Sequence, residues 1–254
     1  MLRTDYRGLA APALETVPVL AAYHDGVTAI CELAAQFGSG GWNVATPCPE
    51  WRAADLAGHL RCVADDFHEY LDDAPASRFA RLMATGAHRE TLERKLARQN
   101  AAELAALPDD TAAEHIAAFA DSARMYARRL AGVWDLPHHR YRDVVVTVAG
   151  MAAAACAEWH LHAWDLARAL GQDHRPAAPE LVLAGWRAGM PHLQAPRDPG
   201  TALGRRRPAA HGYRWRGEGW RGEGWRGERW RGVLRRDPWH TLLVASGRAP
   251  QWQG

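Results

Sequence analysis

The sequence predicts a mainly α-helical protein, an antiparallel four-helix bundle followed by a small α/β or irregular C-terminal region. Three observations carry this. Alanine, the strongest intrinsic helix former, dominates a composition that is 48% hydrophobic. Four long stretches repeat their apolar residues at three- and four-residue steps, the spacing of one helix face. Proline, glycine and capping residues punctuate the chain between those stretches, as short links between helices require.

The first helix is expected to start with Thr16 as cap and Pro18 in its first turn, with Val19, Leu20, Tyr23, Val27, Ile30 and Leu33 recurring at helical spacing. Gly38, Gly40 and Gly41 end it. Pro47 and Pro49 then force an extended connection that Trp51 packs onto the bundle. The second helix runs from about Arg52 to Leu71 and places Leu56, His59, Leu60, Val63 and Phe67 on one face. His59 there is either a core histidine bonded to a carbonyl or a ligand. Cys62, one turn on, reads as a small apolar filler.

Residues 89–107 read as an exposed, charged helix. Pro108 breaks the chain and Thr111 caps a helix from about Ala112 to Val133, with Ile116, Phe119, Ala123, Tyr126 and Leu130 inward and His115 at the surface. Trp134 to His139 reads as a loop whose adjacent His138 and His139 point apart. The β-branched run Val144 to Val148 is expected to be the buried start of the last long helix, which Gly171 terminates.

That last helix carries the chemistry. Glu158 and His162 lie four residues apart, one above the other and roughly 6 Å apart at Cβ, so both can aim at one metal ion. His160 sits about 200° round the helix from each and faces away. The neighbours of Glu158 are almost wholly apolar, and an unpaired carboxylate buried among them would be costly. Were the second helix to face this one, His59, Glu158 and His162 would form a two-histidine, one-carboxylate set with open coordination positions. Asp165, three residues past His162, is either the acceptor for a histidine N–H or the partner of Arg168.

Composition narrows the alternatives. A chain of 254 residues can bury a full core, and a formal charge of +2 is too small to imply a polyanion partner for the whole protein. Lys95 is the only lysine, so the basic residues are otherwise arginine. Cys31, Cys48, Cys62 and Cys156 show no C-x-x-C spacing and read as reduced thiols. With no signal-like apolar region and no uncharged run near ~18 residues, a soluble cytoplasmic protein is expected.

Thr46-Pro-Cys-Pro-Glu-Trp-Arg-Ala-Ala-Asp-Leu-Ala-Gly-His59, with Glu158-Trp-His-Leu-His162-Ala-Trp-Asp-Leu-Ala-Arg-Ala-Leu-Gly171 about a hundred residues later, resembles the mycothiol-dependent maleylpyruvate isomerase family of actinobacteria. The ending Leu242-Leu-Val-Ala-Ser-Gly-Arg-Ala-Pro-Gln-Trp252 is similar to that of many members. The resemblance implies a DinB-like metal-binding bundle over residues 10–175. It also implies a divalent ion, usually zinc, on His59, Glu158 and His162, and mycothiol as thiol cosubstrate. A thiolate at the ion would add to an electron-poor double bond, allow rotation and leave, or would displace a leaving group. These are isomerase and S-transferase chemistry on a small electrophilic substrate; no side chain stands out as a general base.

Residues 176–254 depart from that pattern. Within 213–232 the unit Trp-Arg-Gly-Glu recurs every five residues from Trp215, a period of neither helix nor strand. From Thr201 onward there are twelve arginines against four acids. Tryptophan among arginines could stack on single-stranded nucleic acid, but the glutamate in each full unit opposes phosphate binding, so an irregular insertion is the expectation. Two other functions stay open, a non-catalytic metal-binding bundle and nucleic-acid or partner binding through this tail.

Overall fold

The computed structural model describes residues 5–6, 9–10, 14–194 apart from 39, 50, 74–77 and 85–88, and residues 237–248. The pentapeptide array at 213–232, with Pro250 and Trp252 of the ending, lies outside the described residues. A short antiparallel pair, β1 (Asp5–Tyr6) and β2 (Leu9–Ala10), precedes the helices.

Four long helices form the bundle: α1 (Thr16–Ala34), α2 (Ala53–Asp72), α5 (Ala112–Arg129) and α6 (Val148–Ala169). Helix α1 packs on α6 and α5, and α2 on α5 and α6, closing a ring. Their apolar faces meet at Trp159, whose indole is ringed by Tyr23 of α1, Phe67 of α2 and Phe119 of α5, with centroids 5.9, 5.8 and 5.0 Å away. One large aromatic side chain thus ties all four helices together. The periodicity that predicts these helices is the periodicity of this core.

Helix ends follow local chemistry. Thr111 and Glu114 form a reciprocal capping box at the start of α5, and Thr147 Oγ1 accepts from the Gly150 amide at the start of α6. The expected Thr16 cap is not found: Thr16 is already helical, and Glu15 precedes it without a side-chain cap.

Between the long helices lie α3 (Arg78–Ala84) and α4 (Arg89–Ala106), with α4 packed on α2. After α6, α7 (Pro179–Gly189) lies along it, and α8 (Pro238–Ala245) packs on α7. Helix α6 is buried almost all round because α7 covers the side that α1 and α2 leave open. Its alanines permit this. A Cβ at Gly185 of α7 would stand 2.6 Å from the Ala153 carbonyl, so only glycine allows so close an approach.

Four expectations are corrected here. Val144–Thr147 is strand β4, not the start of α6, and pairs antiparallel with β3 (Pro137–Tyr141) across the two-residue turn Arg142–Asp143. Consecutive β-branched residues are stiff at χ1 and favour a strand once a turn supplies a partner. Of the stretch expected as a loop, residues 134–136 are a turn but residues 137–139 are strand, and the register shift between Pro137 and His139 turns the adjacent histidines toward each other, Nδ1 to Nδ1 at 2.9 Å. His115, expected at the surface, is buried beside Arg61, 3.3 Å from its Nδ1. Among the described residues, no helix is long and apolar enough to cross a membrane.

Candidate metal centre

Helix α2 delivers His59 from its second turn, and the ring of Trp51, just before that helix, packs on it at 4.7 Å. Helix α6 delivers Glu158 and His162 from consecutive turns, with Glu158 Oε2 3.5 Å from His162 Nε2. The two imidazoles meet edge to face across the α2–α6 contact, centroids 5.2 Å apart. Both are buried, whereas the Glu158 side chain is 20% exposed. Burial, reinforced by His162 alongside, holds His59 well below the usual histidine range, so it presents a neutral lone pair. His160 points away from this group, as expected, with Nε2 2.9 Å from the Ala22 carbonyl and Nδ1 3.0 Å from His174.

Asp165 organises the far side of His162. Its Oδ2 accepts from His162 Nδ1 at 2.9 Å and from the Cys48 thiol at 3.3 Å. The Arg248 guanidinium is bidentate on the same carboxylate, Nε to Oδ1 at 2.9 Å and Nη2 to Oδ2 at 2.6 Å. Arg248 is its arginine partner across the fold. Burial by itself would raise the Asp165 pKa; the charge of Arg248 and the hydrogen bonds from His162 and Arg248 outweigh it and bring the group down to about 2. An ionised Asp165 keeps the proton of His162 on Nδ1 and leaves Nε2 as a lone pair.

Whether these residues fit a metal is decided by the nitrogens without a proton-sharing partner. His162 Nε2 and His59 Nδ1 are both buried and hydrogen-bonded to nothing. A buried polar atom left unsatisfied costs about 1–3 kcal/mol, and a cation at the Glu158 end would remove that cost for His162. A second set shares His162: ligand atoms of Cys48, His162 and Asp165 lie within 4.8 Å of one another and could hold an ion. It would have to take Asp165 from Arg248 and deprotonate a thiol that burial and the adjacent Asp165 hold far above its usual range. The Nε2 side asks for neither.

The family model of the mycothiol maleylpyruvate isomerase N-terminal domain matches residues 23–167, more than half of the chain. The chain belongs to this family. No curated protein and no solved structure matches it. The matched span of this mycothiol maleylpyruvate isomerase family member holds His59, Glu158, His162 and Asp165, and stops before α7, α8 and Arg248.

What lies beyond that span nevertheless reaches the site. Asp237 caps α8, accepting from the amides of Trp239 and His240, and Arg175 grips its carboxylate with bonds of 3.0 and 3.1 Å. Trp239 Nε1 donates to the His174 carbonyl at 3.1 Å. Thus anchored, α8 runs toward the centre and the residues after it carry Arg248 onto Asp165. Spacing within one helix cannot show a partner 83 residues away; the only signal for it is the Ser-Gly-Arg ending.

His59, Glu158 and Arg248 face a cavity of about 150 Å³ that runs between α2, α4, α6 and α7. Beyond those polar groups its wall is mostly apolar, with Phe67, Met151 and Trp186 among the lining residues. The arrangement sets two imidazoles and a carboxylate at one end of a pocket large enough for a small organic molecule.

Proposed function

We propose that this chain is a divalent-metal and low-molecular-weight thiol-dependent enzyme, an isomerase or thiol S-transferase acting on a small electrophilic or unsaturated substrate. The metal, zinc in this reading, is held by His59, Glu158 and His162, and mycothiol is the thiol. The observation that carries it is the buried, unbonded Nε2 of His162, oriented by Asp165 behind it and with Glu158 beside it at the cavity wall.

When bound, the ion supplies positive charge that stabilises a thiolate over a thiol. The remaining work belongs to the chain. His59 and His162 give neutral nitrogen donors, and Glu158 gives the anionic one. Asp165 fixes the tautomer of His162 and is itself kept ionised by Arg248. The apolar wall excludes water from the reacting carbon. Residues 10–175 provide the ligands, and residues 176–254 complete the pocket from α7 and α8.

Elemental analysis of the purified full-length chain tests this reading, with one divalent ion per chain expected and lost in Glu158→Ala. Thiol consumption should then saturate with both thiol and electrophile. Metal bound without thiol saturation would make the protein a non-catalytic metal-binding bundle; no metal in either protein would remove the centre altogether.

A further inference from the structure

At two places in the cavity wall, polar side chains are engaged with one another. At the metal end, Arg248 has Nε and Nη2 on Asp165. On the α2–α4 wall, Asp66 accepts from the Tyr70 hydroxyl at 2.9 Å and from Gln99 at 3.4 Å. Between them the surface is mainly aromatic and thioether, with His192 beside Phe79 at 6.1 Å. Phe79 is stacked on Tyr70, with centroids 5.1 Å apart at 29°, and Phe67, Met151, Trp186 and Met190 complete that stretch. Such rings and sulfurs favour flat, polarisable partners.

Charge points the same way. Among the described lining residues, Arg248 is the one basic side chain other than histidine, and its guanidinium is already bidentate on the Asp165 carboxylate. At the metal end, Glu158 together with a thiolate would balance a dication. No net positive charge is left for a second substrate, and an anion would lose its hydration without compensation. Size completes the argument. At about 150 Å³ the cavity has a volume of the order that takes one benzene ring.

We infer that the second substrate is an uncharged conjugated acceptor of one-ring size, such as a quinone or an activated aryl compound, and not a small dicarboxylate. This rests on the proposed thiol-dependent reading and names the substrate class of that same pocket. With a quinone, the thiol sulfur bonds to a ring carbon, the π pair shifts onto the conjugated oxygen, and the thiol proton with the displaced ring proton leaves a hydroquinone thioether. No oxidant or reductant is required.

The test separates class from reading. Full-length, zinc-supplemented protein is titrated by ¹⁹F NMR with fluorobenzene and 4-fluorobenzoate, which share a ring and differ in charge, and zinc content is measured on the same sample. Fluorobenzene should bind saturably and at least tenfold more tightly than the benzoate. Val63→Phe or Leu193→Trp, at half-buried wall positions, should weaken it at least tenfold with helix content and zinc unchanged. Equal or tighter benzoate binding, no saturable fluorobenzene binding in zinc-loaded protein, or full binding in both folded variants would each overturn the inference. Absence of zinc with fluorobenzene still bound would instead sink the metal centre and leave the ring pocket standing.

Discussion

Two pairs of buried histidines sit in this molecule, and they have come to opposite uses. His138 and His139, on β3, are turned together by the register shift and spend their Nδ1 atoms on each other. Around them stand Tyr70, Phe79 and His192, and no carboxylate is among the groups that set their proton affinity. His59 and His162 meet edge to face instead, with an ionised acceptor behind His162 and a second carboxylate beside it. The first pair satisfy one another at Nδ1 only, and each keeps a buried Nε2 without a hydrogen bond, as His162 does. What readies a histidine for a cation is the acceptor that pins its proton on the far nitrogen.

The largest effect should come from breaking that distinction directly. His59→Ala or His162→Ala should abolish stoichiometric metal binding, whereas His139→Ala and His160→Ala should retain it. Equal loss in His139→Ala by elemental analysis would reverse the comparison.

The next effect isolates the acceptor. Asp165→Asn removes the charge that orders His162, and loss of such a supporting group typically weakens metal affinity 10- to 100-fold. The same change leaves Arg248 buried without its anion, which costs about 3–5 kcal/mol in stability. The double variant Asp165→Asn, Arg248→Met separates the two. Its urea midpoint should recover while its metal affinity, followed by competition with a chromophoric chelator, stays low. Recovery of affinity as well would make Asp165 a purely structural residue.

A smaller contrast appears with pH, in metal-free protein. Burial lowers His138 to about 4 and His139 to about 3 in the folded state, against an unfolded value of about 6.5. A depressed histidine binds its proton more readily when unfolded, so stability is present above about pH 6.5 and falls as the pH drops toward 4. Asp165, lowered to about 2 from 3.8, contributes stability present above about pH 4 and lost only as the pH falls through 2. Between pH 7 and 4.5, His139→Phe should therefore flatten the decline of the urea midpoint. The decline persists in part, since burial lowers His59, His160 and His174 too. Asp165→Asn should leave its slope unchanged. A slope altered by Asp165→Asn and untouched by His139→Phe would show the titrating groups assigned to the wrong region.

The same contrast explains how far the sequence could be read. Long-range regularity is legible: the faces of α2 and α6 follow from 3.6-residue periodicity, and an i, i+4 pair has one geometry on a helix. Local irregularity is not. The bulge that joins His138 to His139 changes where two adjacent side chains point, and no composition rule marks it. The strand at Val144–Thr147 looked like helix because an alanine-rich run follows it, and the Arg142–Asp143 turn gave no glycine signal. Arg248 was hidden for a different reason, since the contact joins two chain segments separated by the repeats.

That separation supplies the smallest expected effect. Arg175 holds the Asp237 cap and His174 holds Trp239. Both anchors lie outside the repeats, so α8 is expected to stay docked and to keep Arg248 on Asp165 when the repeats are removed. Deleting residues 213–232 roughly halves the connection. On the polymer estimate, halving a loop changes its closure entropy by only about 0.6 kcal/mol. The half-exposed Arg175–Asp237 pair contributes about 1 kcal/mol at most, so even Arg175→Ala should shift the thermal midpoint by only a few degrees. The deletion should shift it less, with unfolding still cooperative and metal content unchanged. If the deletion instead removed metal along with cooperativity, the repeats would have to be counted as part of the structure that brings Arg248 to Asp165.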